Sequence, residues 1–248
     1  MHHLYLFKDI KTKTSFRKIL AFVVIFSLTA CAELQQVMDQ LPQGGGLSQA
    51  EIASGLRQAL NFGIDKQVSK LTKKDGFFKN NLVKILWPED IQKVDHTLRS
   101  IGLSSLADEG LKMLNRAAED AVKEATPIFV NAVKEITFTD AKNILLGADN
   151  AATQYLTNKT ETALYAKFHP VINKSFSKVG ADKIWNNLIT KYNNLPLTND
   201  VNPDLTDYVT DEALKGVYTM IAVEEKNIRT KLSSRTTDLL KRVFALQD

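Results

Sequence analysis

The stretch that decides the fold is residues 47–71, LSQAEIASGLRQALNFGIDKQVSKL. Ser48 and Glu51 have the spacing of a capping box, in which the N-cap hydroxyl and the N3 carboxylate each accept a backbone N–H at the start of a helix. Apolar residues then recur at helical spacing for about six turns: Ile52, Leu56, Leu60, Ile64, Val68 and Leu71. Such a stripe has to be buried, so the stretch predicts a long amphipathic helix packed on other helices.

The chain that follows this helix is also predicted to be helical. Pro88 and Gly102 mark the first turn and the end of one helix, and Pro170 is expected to kink or break another. Residues 77–87 lack helical periodicity and are expected to be extended coil. The predicted elements are Pro88–Ile101, Ser105–Ala125, Pro127–Ile136, a short helix capped by Thr139 and Asp140 and ending at Gly147, Asn150–Val179, Asp182–Asn194, a turn or short helix over Asp204–Val209, Asp211–Leu232 capped by Thr210, and Arg235–Leu246.

The order of these elements predicts the fold class. The connections are short and the sequence has no fixed-period repeat, which favours a bundle over a solenoid. We therefore expect an all-α protein with a single compact multi-helix bundle over residues 47–248. It should follow a cleaved signal peptide over residues 1–30 and a flexible tether over residues 31–46.

The first 31 residues have the features of a lipoprotein signal. Residues 1–18 carry five bases against one acid, and Ile19–Leu28 is an uncharged apolar run of ten residues. Leu28-Thr29-Ala30-Cys31 resembles a lipobox, which predicts cleavage before Cys31 and a lipid on that residue. The alternative is an uncleaved membrane anchor. Ten residues give about 15 Å of helix, roughly half of a bilayer core, so cleavage is favoured.

Removal of the signal changes the charge balance. The whole chain has 32 Lys+Arg and 28 Asp+Glu, and losing five bases and one acid leaves 27 of each. The mature chain has no Lys/Arg cluster denser than Lys73-Lys74. Nucleic-acid binding needs a surviving basic patch, so we expect no nucleic-acid partner.

Metal and cofactor chemistry find no support in the sequence. Cys31 is the only cysteine, and its acylation would leave no thiol for a disulfide, a nucleophile or a thiolate metal site. His96 and His169 stand outside any H-x-x-x-H or E-x-x-H pattern. The chain also lacks a G-x-S-x-G motif, a P-loop and a G-x-G-x-x-G motif, so we expect no metal and no cofactor.

Two adjacent acids are the best candidate for a functional site. At 100° per residue, Glu225 and Glu224 lie on or beside the apolar stripe of the helix predicted over Asp211–Leu232. Buried carboxylates need partners, and Arg116, Arg229 and Arg235 are the expected ones. The group could be an acid/base pair or a ligand-binding cluster inside a bundle. Alternatively, it is a structural ion-pair network that fixes helix register.

A second candidate is Asn115-Arg116-Ala117-Ala118-Glu119. Arg116 points away from the alanine stripe of its helix, and Glu119 lies toward the edge of that stripe. Either another helix covers this face or these residues are solvated. Judged on the residues alone, a solvated face is favoured.

The following stretches, spread over the chain, match one pattern: Leu47-Ser48, Glu51-Ile52, Gly55-Leu56, Ala59-Leu60, Asp75–Phe77 (DGF), Asn115–Glu119 (NRAAE), Pro127–Phe129 (PIF), Thr139–Ala141 (TDA), Ala151–Tyr155 (AATQY), Asp204–Thr210 (DLTDYVT), Glu224-Glu225, Ile228-Arg229 and Arg235–Leu240 (RTTDLL). Together they resemble a known family, the domain of unknown function 4197, found mostly in bacterial lipoproteins. The resemblance spans about Leu47–Phe244 and implies one helical domain without an established activity. It also places all the candidate residues on family motifs, which implies that Arg116 is covered, in one polar cluster with the Glu pair.

The sequence therefore predicts a lipid-anchored periplasmic domain that binds a protein partner or a small ligand without catalysis. Ala32 after the lipidated cysteine, where an Asp would retain the protein, resembles enteric lipoproteins sorted to the outer membrane. One alternative is a hydrolase with Glu224 or Glu225 as general base and Arg116 positioning an anion. Another is a carrier that holds an apolar ligand between its helices. The candidate polar residues are Asn115, Arg116, Glu119, Glu224, Glu225, Arg229 and Arg235.

Overall fold

Helices make up most of the part of the chain that the computed structural model describes, which is residues 46–102, 104–178, 189–190, 193 and 204–247. These residues contain no strand, so the predicted all-α bundle is confirmed. The predicted signal peptide and most of the predicted tether lie outside the described residues. The helices are α1 (Gln49–Leu71), α2 (Glu89–Ser100), α3 (Ser104–Val122), α4 (Ala125–Lys134), α5 (Phe138–Leu145), α6 (Ala151–Lys178), α7 (Thr206–Thr230) and α8 (Asp238–Phe244), with 3-10 turns at Leu232–Ser234 and Ala245–Gln247.

The first helix begins as its sequence predicts. The Ser48 backbone N–H donates to Glu51 Oε2 at 2.9 Å, and the Glu51 N–H donates to Ser48 Oγ at 3.2 Å, so the capping box is complete. The apolar stripe from Leu56 to Leu71 is buried. It packs against α4, α5, α7 and α8, which makes α1 a central element of the bundle.

The long helices α6 and α7 form the other main pair of the core, and α3 packs against both. Buried alanines on α3, including Ala117, Ala118 and Ala121, leave room for close helix approach. Phe129 meets Tyr218 edge to face, with ring centroids 5.9 Å apart. None of the described helices combines the length and hydropathy needed to cross a membrane.

One prediction about the middle of the chain is wrong, and one of the two outcomes predicted for Pro170 is excluded. Thr137, not Thr139, caps α5, and Asp140 closes a capping box with it at the N3 position. Pro170 does not break its helix, since α6 continues through it. Phe168 and Ile172, on either side of Pro170, are fully buried, and their packing outweighs the roughly 3 kcal/mol that an interior proline costs.

The last two helices also begin elsewhere than predicted. A single helix, α7, replaces the predicted turn and the helix capped by Thr210. It begins at Thr206, whose N–H donates to Asp204 Oδ1 at 2.9 Å, while the Thr210 hydroxyl bonds to the Thr206 carbonyl inside the helix. The closing helix begins only at Asp238, after Thr237 as its N-cap.

Other predicted boundaries hold to within a few residues. Gly102 ends α2 with φ +82°, as a C′ glycine should. Residues 77–87 form turns and coil, as expected. The helix predicted over Asp182–Asn194 lies mostly outside the described residues, among which Ile189, Thr190 and Asn193 are helical.

Two glycines on facing helices give a paired prediction. A Cβ at Gly216 on α7 would lie 2.6 Å from Cε1 of the fully buried Phe77, so Gly216→Ala should lower the free energy of unfolding by about 1–3 kcal/mol. A Cβ at Gly63 on α1 would meet only the side chain of Glu224, whose Cγ would lie 3.4 Å away, so Gly63→Ala should raise the free energy of unfolding by about 0.5–1 kcal/mol. Urea unfolding of both variants tests the helix packing. Equal changes in the free energy of unfolding of the two variants would contradict this packing.

Candidate functional site

Glu225 is the best-connected carboxylate of the candidate site. It lies on α7, is buried, and accepts five hydrogen bonds from α6 and from Arg229. Its Oε1 accepts the Ala152 N–H at 2.9 Å, and its Oε2 accepts the N–H and the hydroxyl of Thr153 at 2.8 and 2.7 Å. Backbone N–H groups in the first turn of a helix have no partner within the helix, so Glu225 caps α6 from a distant part of the chain.

Arg229 follows one turn later on α7 and completes this arrangement. Its Nε and Nη2 donate to Glu225 Oε1 at 3.0 and 2.8 Å. Its guanidinium also donates to the carbonyls of Ile144 and Leu145 at 2.8 and 3.1 Å. These carbonyls close α5, where a cation is favoured, while the acid sits at the N-terminus of α6. The pair therefore clamps the α5–α6 connection onto α7.

Glu224 has different partners from Glu225. It lies on the side of α7 that faces α1, where Lys66 Nζ donates to its Oε1 at 2.6 Å and Gln67 Nε2 to its Oε2 at 2.8 Å. Lys66 is mostly exposed, whereas Glu224 and Gln67 are buried. Glu224 and Glu225 also line a cavity of about 20 Å³ between α1 and α7, with Ile221, Ile228 and Arg229. That is space for about one water molecule.

Arg235 is buried among the carbonyls that end α7. Its Nε donates to the Ile228 carbonyl at 3.0 Å and its Nη2 to the Arg229 carbonyl at 2.8 Å. Its guanidinium also lies 5.9 Å from the ring centroid of Phe244 on α8. Arg235 thus satisfies the carbonyls of the last turn of α7 and contacts the closing helix.

Arg116 does not join the Glu pair, which corrects the prediction of one polar cluster. Its guanidinium contacts Asp75 Oδ1 at 2.6 Å and Glu119 Oε2 at 2.5 Å. Its side chain is 30% exposed, so it is neither fully covered nor fully solvated. The pKa of Asp75 is lowered, mainly by the hydrogen bond from Lys79 and further by the charges of Lys79, Arg116 and Lys112.

Glu119 holds the turn that follows α1. Asp75 in this turn has φ +67°, a left-handed conformation that is uncommon for a residue other than glycine. The N–H groups of Asp75 and Phe77 donate to the Glu119 carboxylate at 3.3 and 3.2 Å. The buried carboxylate thereby fixes the turn against α3.

Asn115 binds the extended segment that leads from this turn to α2. Its Oδ1 accepts the Ile85 N–H at 2.9 Å. Its Nδ2 donates to the Ile85 carbonyl at 2.9 Å and to the Leu111 carbonyl at 2.8 Å. The buried amide therefore replaces the neighbouring strand that residues 77–87 lack.

One histidine joins a surface cluster that sequence patterns did not reveal. His169 Nε2 lies 3.1 Å from Asp207 Oδ1, and Tyr165 donates its hydroxyl to the same oxygen at 2.5 Å. That hydrogen bond is the main reason why the pKa of Tyr165 is raised to about 12. The cluster links α6 to α7 near the surface. No group of three potential metal ligands occurs among the described residues.

The candidate residues therefore form separate groups with a common chemistry. Asn115, Glu119, Glu225, Arg229 and Arg235 all bind main-chain N–H or C=O groups at turns and helix ends. We name these five side chains the backbone clamps. Sequence reasoning predicted Arg229 as a partner of the Glu pair, but it missed the main-chain partners, because residues such as Ala152 and Ile85 carry no signal of their own and bind through backbone groups. Asp75 alone had a signal, in the turn sequence Lys73-Lys74-Asp75-Gly76.

Comparison with known proteins identifies a family and no nearer relative. No curated protein and no solved structure matches this chain. The family model described as a protein of unknown function (DUF4197) matches residues 46–245, which include all the backbone clamps. Because this match covers most of the chain, the protein belongs to the DUF4197 family, as the sequence motifs indicated.

Proposed function

We propose that this protein is a periplasm-facing lipoprotein of the outer membrane, anchored through a lipid on Cys31. Its helical domain, residues 47–248, would act as a non-catalytic module that binds a protein partner or a small ligand. The basic segment, the short apolar run and the lipobox-like sequence support the anchor. The chemistry of the buried polar residues supports a module without catalysis.

The proposal that the module is not catalytic rests on Glu225, because its carboxylate has no free hydrogen-bonding site. A carboxylate has about four lone-pair sites, and Glu225 already accepts five hydrogen bonds. A general base needs a lone pair within reach of a substrate proton. Glu225 lacks one, and Arg116, the residue expected to position an anion, is bound to Asp75 and Glu119. This favours a structural ion-pair network over a hydrolase site that uses Glu225 as its base.

The choice between a protein partner and a small ligand rests on space. The cavity beside the Glu pair has about 20 Å³, whereas pockets for drug-sized ligands have roughly 300–1,000 Å³. Large apolar side chains are exposed elsewhere on the described surface, among them Ile101 and Leu146, at 65 and 61%. Exposed apolar side chains are typical of interaction surfaces when they cluster. A macromolecular partner is therefore favoured over an apolar ligand carried between helices.

The anchor is tested by Cys31→Ser. We expect this substitution to move the protein from the membrane fraction to the soluble fraction or to leave an uncleaved precursor, because no lipid can be attached to a serine. Thr29→Ala is the matched control, since it keeps a small residue before the cysteine and should leave fractionation unchanged. Intact mass of each form reports cleavage and acylation. A wild-type protein without a lipid mass would overturn the anchor.

The binding module is tested by native mass spectrometry of the full-length chain extracted from membranes. We expect a second polypeptide to co-migrate with it after mild chemical cross-linking. A discrete small added mass without a polypeptide would instead support the small-ligand alternative. Turnover of an added ester or glycoside panel that Glu224→Gln abolishes without lowering the melting temperature would support the hydrolase.

A further inference from the structure

The turn after α1 gathers an unusual amount of positive charge. Residues 66–84 contain six lysines and one acid, Asp75. Adjacent bases in the sequence do not reveal this, because the lysines are spaced along a helix and a folded turn. At 100° per residue, Lys66 and Lys70 lie about 40° apart on α1, and Lys73 follows two residues after the helix ends at Leu71. Lys74, Lys79 and Lys84 follow in the turn.

Contacts with α7 place these two segments side by side. Gly216 lies against Phe77 and Val83, Met220 accepts a hydrogen bond from Asn80, and Glu224 binds Lys66. These three positions of α7 are four residues apart, so they occupy one face within about 12 Å. The lysines of α1 and those of the turn therefore belong to one end of the bundle.

Leucines are exposed beside this charge. Along residues 82–87, Val83, Ile85 and Trp87 are buried, while Leu82 and Leu86 are 64 and 58% exposed. Lys84 stands between the two leucines and lies 4.5 Å from the ring centroid of Phe78. We call this region the lysine–leucine surface. It consists of Lys70, Lys73, Lys74, Lys79, Lys84, Leu82 and Leu86.

Most of this charge is not neutralised by the protein. Lys79 pairs with Asp75 at 3.1 Å. Lys70, Lys73 and Lys74 are exposed and form no ion pair with any residue in the described part of the chain. The hydrogen bonds that Glu119 and Asn115 make to Asp75, Phe77 and Ile85 hold the underlying backbone in place. The surface thus has a backbone held in place by hydrogen bonds, from which exposed lysine side chains and two exposed leucine side chains project.

We propose that the lysine–leucine surface binds an anionic phospholipid bilayer. Lysines near such a surface are attracted to its headgroups, while exposed leucines enter the boundary between headgroups and acyl chains. Lysine stems can lie along apolar surface while their ammonium groups stay in water. Two leucines are few for the apolar core of a stable protein interface, which favours a lipid surface over an acidic protein.

This contact is separate from a lipid on Cys31. The chain enters α1 at Ser48, and a helix of 23 residues puts its far end about 34 Å away. Residues 47–248 form one compact unit that includes the capping box and all the described core residues. A chain of residues 46–248 therefore folds on its own and tests the surface without the anchor. Vesicle binding by this shorter chain tests the lysine–leucine surface, and fractionation of Cys31→Ser tests the anchor, so either proposal can be contradicted without the other.

The experiment is co-sedimentation of residues 46–248 with vesicles of phosphatidylethanolamine alone or with about 30% phosphatidylglycerol. We expect binding only to the anionic vesicles and a loss of binding as salt screens the charges. Lys70→Glu/Lys73→Glu/Lys74→Glu should weaken binding at least about 100-fold, because each lysine near an anionic surface contributes about five-fold. Leu82→Ser/Leu86→Ser should weaken binding while keeping its salt dependence.

The matched control is Lys167→Glu/Lys174→Glu/Lys226→Glu, which makes the same change of charge at exposed helix positions outside the surface. Its binding should fall much less than that of the first triple variant. If both triple variants lost vesicle binding equally, the loss would depend only on the net charge of the domain, which would overturn the proposal. Failure of the wild-type domain to bind anionic vesicles would also overturn it and leave an acidic protein as the occupant. Circular dichroism verifies that each variant is folded.

Discussion

Replacing Glu225 with Gln is expected to lower the free energy of unfolding by about 3–5 kcal/mol. The substitution keeps the size of the side chain but leaves the Arg229 guanidinium buried without its counter-charge. It also removes an acceptor from the first turn of α6, where Ala152 and Thr153 donate. For a domain of this size the melting temperature should fall by roughly 6–20 °C, measured by circular dichroism.

The matched control for this variant is Glu212→Gln on the same helix. Glu212 pairs with Lys215 at 3.2 Å near the surface, and such pairs contribute at most about 1 kcal/mol. Its melting temperature should therefore stay close to that of the wild type. A Glu225→Gln protein as stable as the Glu212→Gln protein would contradict the clamp.

The double variant Glu225→Gln/Arg229→Met separates the ion pair from the other bonds. Arg229→Met alone leaves a buried carboxylate without its cation, although the α6 donors remain. The double variant leaves neither charge. Its loss of unfolding free energy should therefore be smaller than the sum of the losses in the two single variants, by about 0.5–3 kcal/mol. Additive losses would mean that each residue stabilises the fold only through its own backbone bonds.

The burial of this pair and an ion pair with Arg229 were predictable, but the backbone groups that the carboxylates bind were not. Helical spacing alone places Glu224 and Glu225 on the apolar side of their helix, and both are buried. Their partners depend on which helix ends arrive there. Glu225 binds Ala152 and Thr153, 73 and 72 residues earlier in the chain. A helical wheel gives the direction of each side chain on its own helix. It does not say which backbone groups of other helices lie opposite that side chain.

The errors in helix boundaries have a related cause. Thr137 and Thr139 both precede an acid, and only the distance of three residues to Asp140 fits a capping box. Thr210 has good cap chemistry, yet it is fully buried within α7, and packing of Val209 and Ala213 carries the helix past it. The capping box of α1 was predicted correctly because all its partners lie within three residues. A cap whose partners are close in sequence can thus be predicted from the sequence. Where several residues could cap a helix, tertiary packing determines which of them does.

The second large effect is expected from Asn115→Asp. The amide Nδ2 donates to the carbonyls of Ile85 and Leu111 at 2.9 and 2.8 Å, and Asn115 is fully buried. A carboxylate oxygen in that place cannot donate and repels both carbonyl oxygens. We expect the variant to lose about 3–5 kcal/mol at neutral pH, because a buried charge without a partner is among the costliest changes to a fold. Urea unfolding measures the loss, and Asn131→Asp at an exposed position of α4 is its control.

The pH dependence of this variant identifies the cause of its instability. Burial should raise the pKa of the new carboxyl in the folded state above its unfolded value of about 3.9. The folded state then binds the proton more tightly, so the loss should shrink as pH falls below the raised pKa and should be greatest above it. Asn115→Leu removes the same three hydrogen bonds without a charge, and its loss relative to wild type should not depend on pH. If the Asp and Leu variants lose the same stability at every pH, charge burial is not the cause. The Asn115 amide would then hold the segment before α2 through its hydrogen bonds alone.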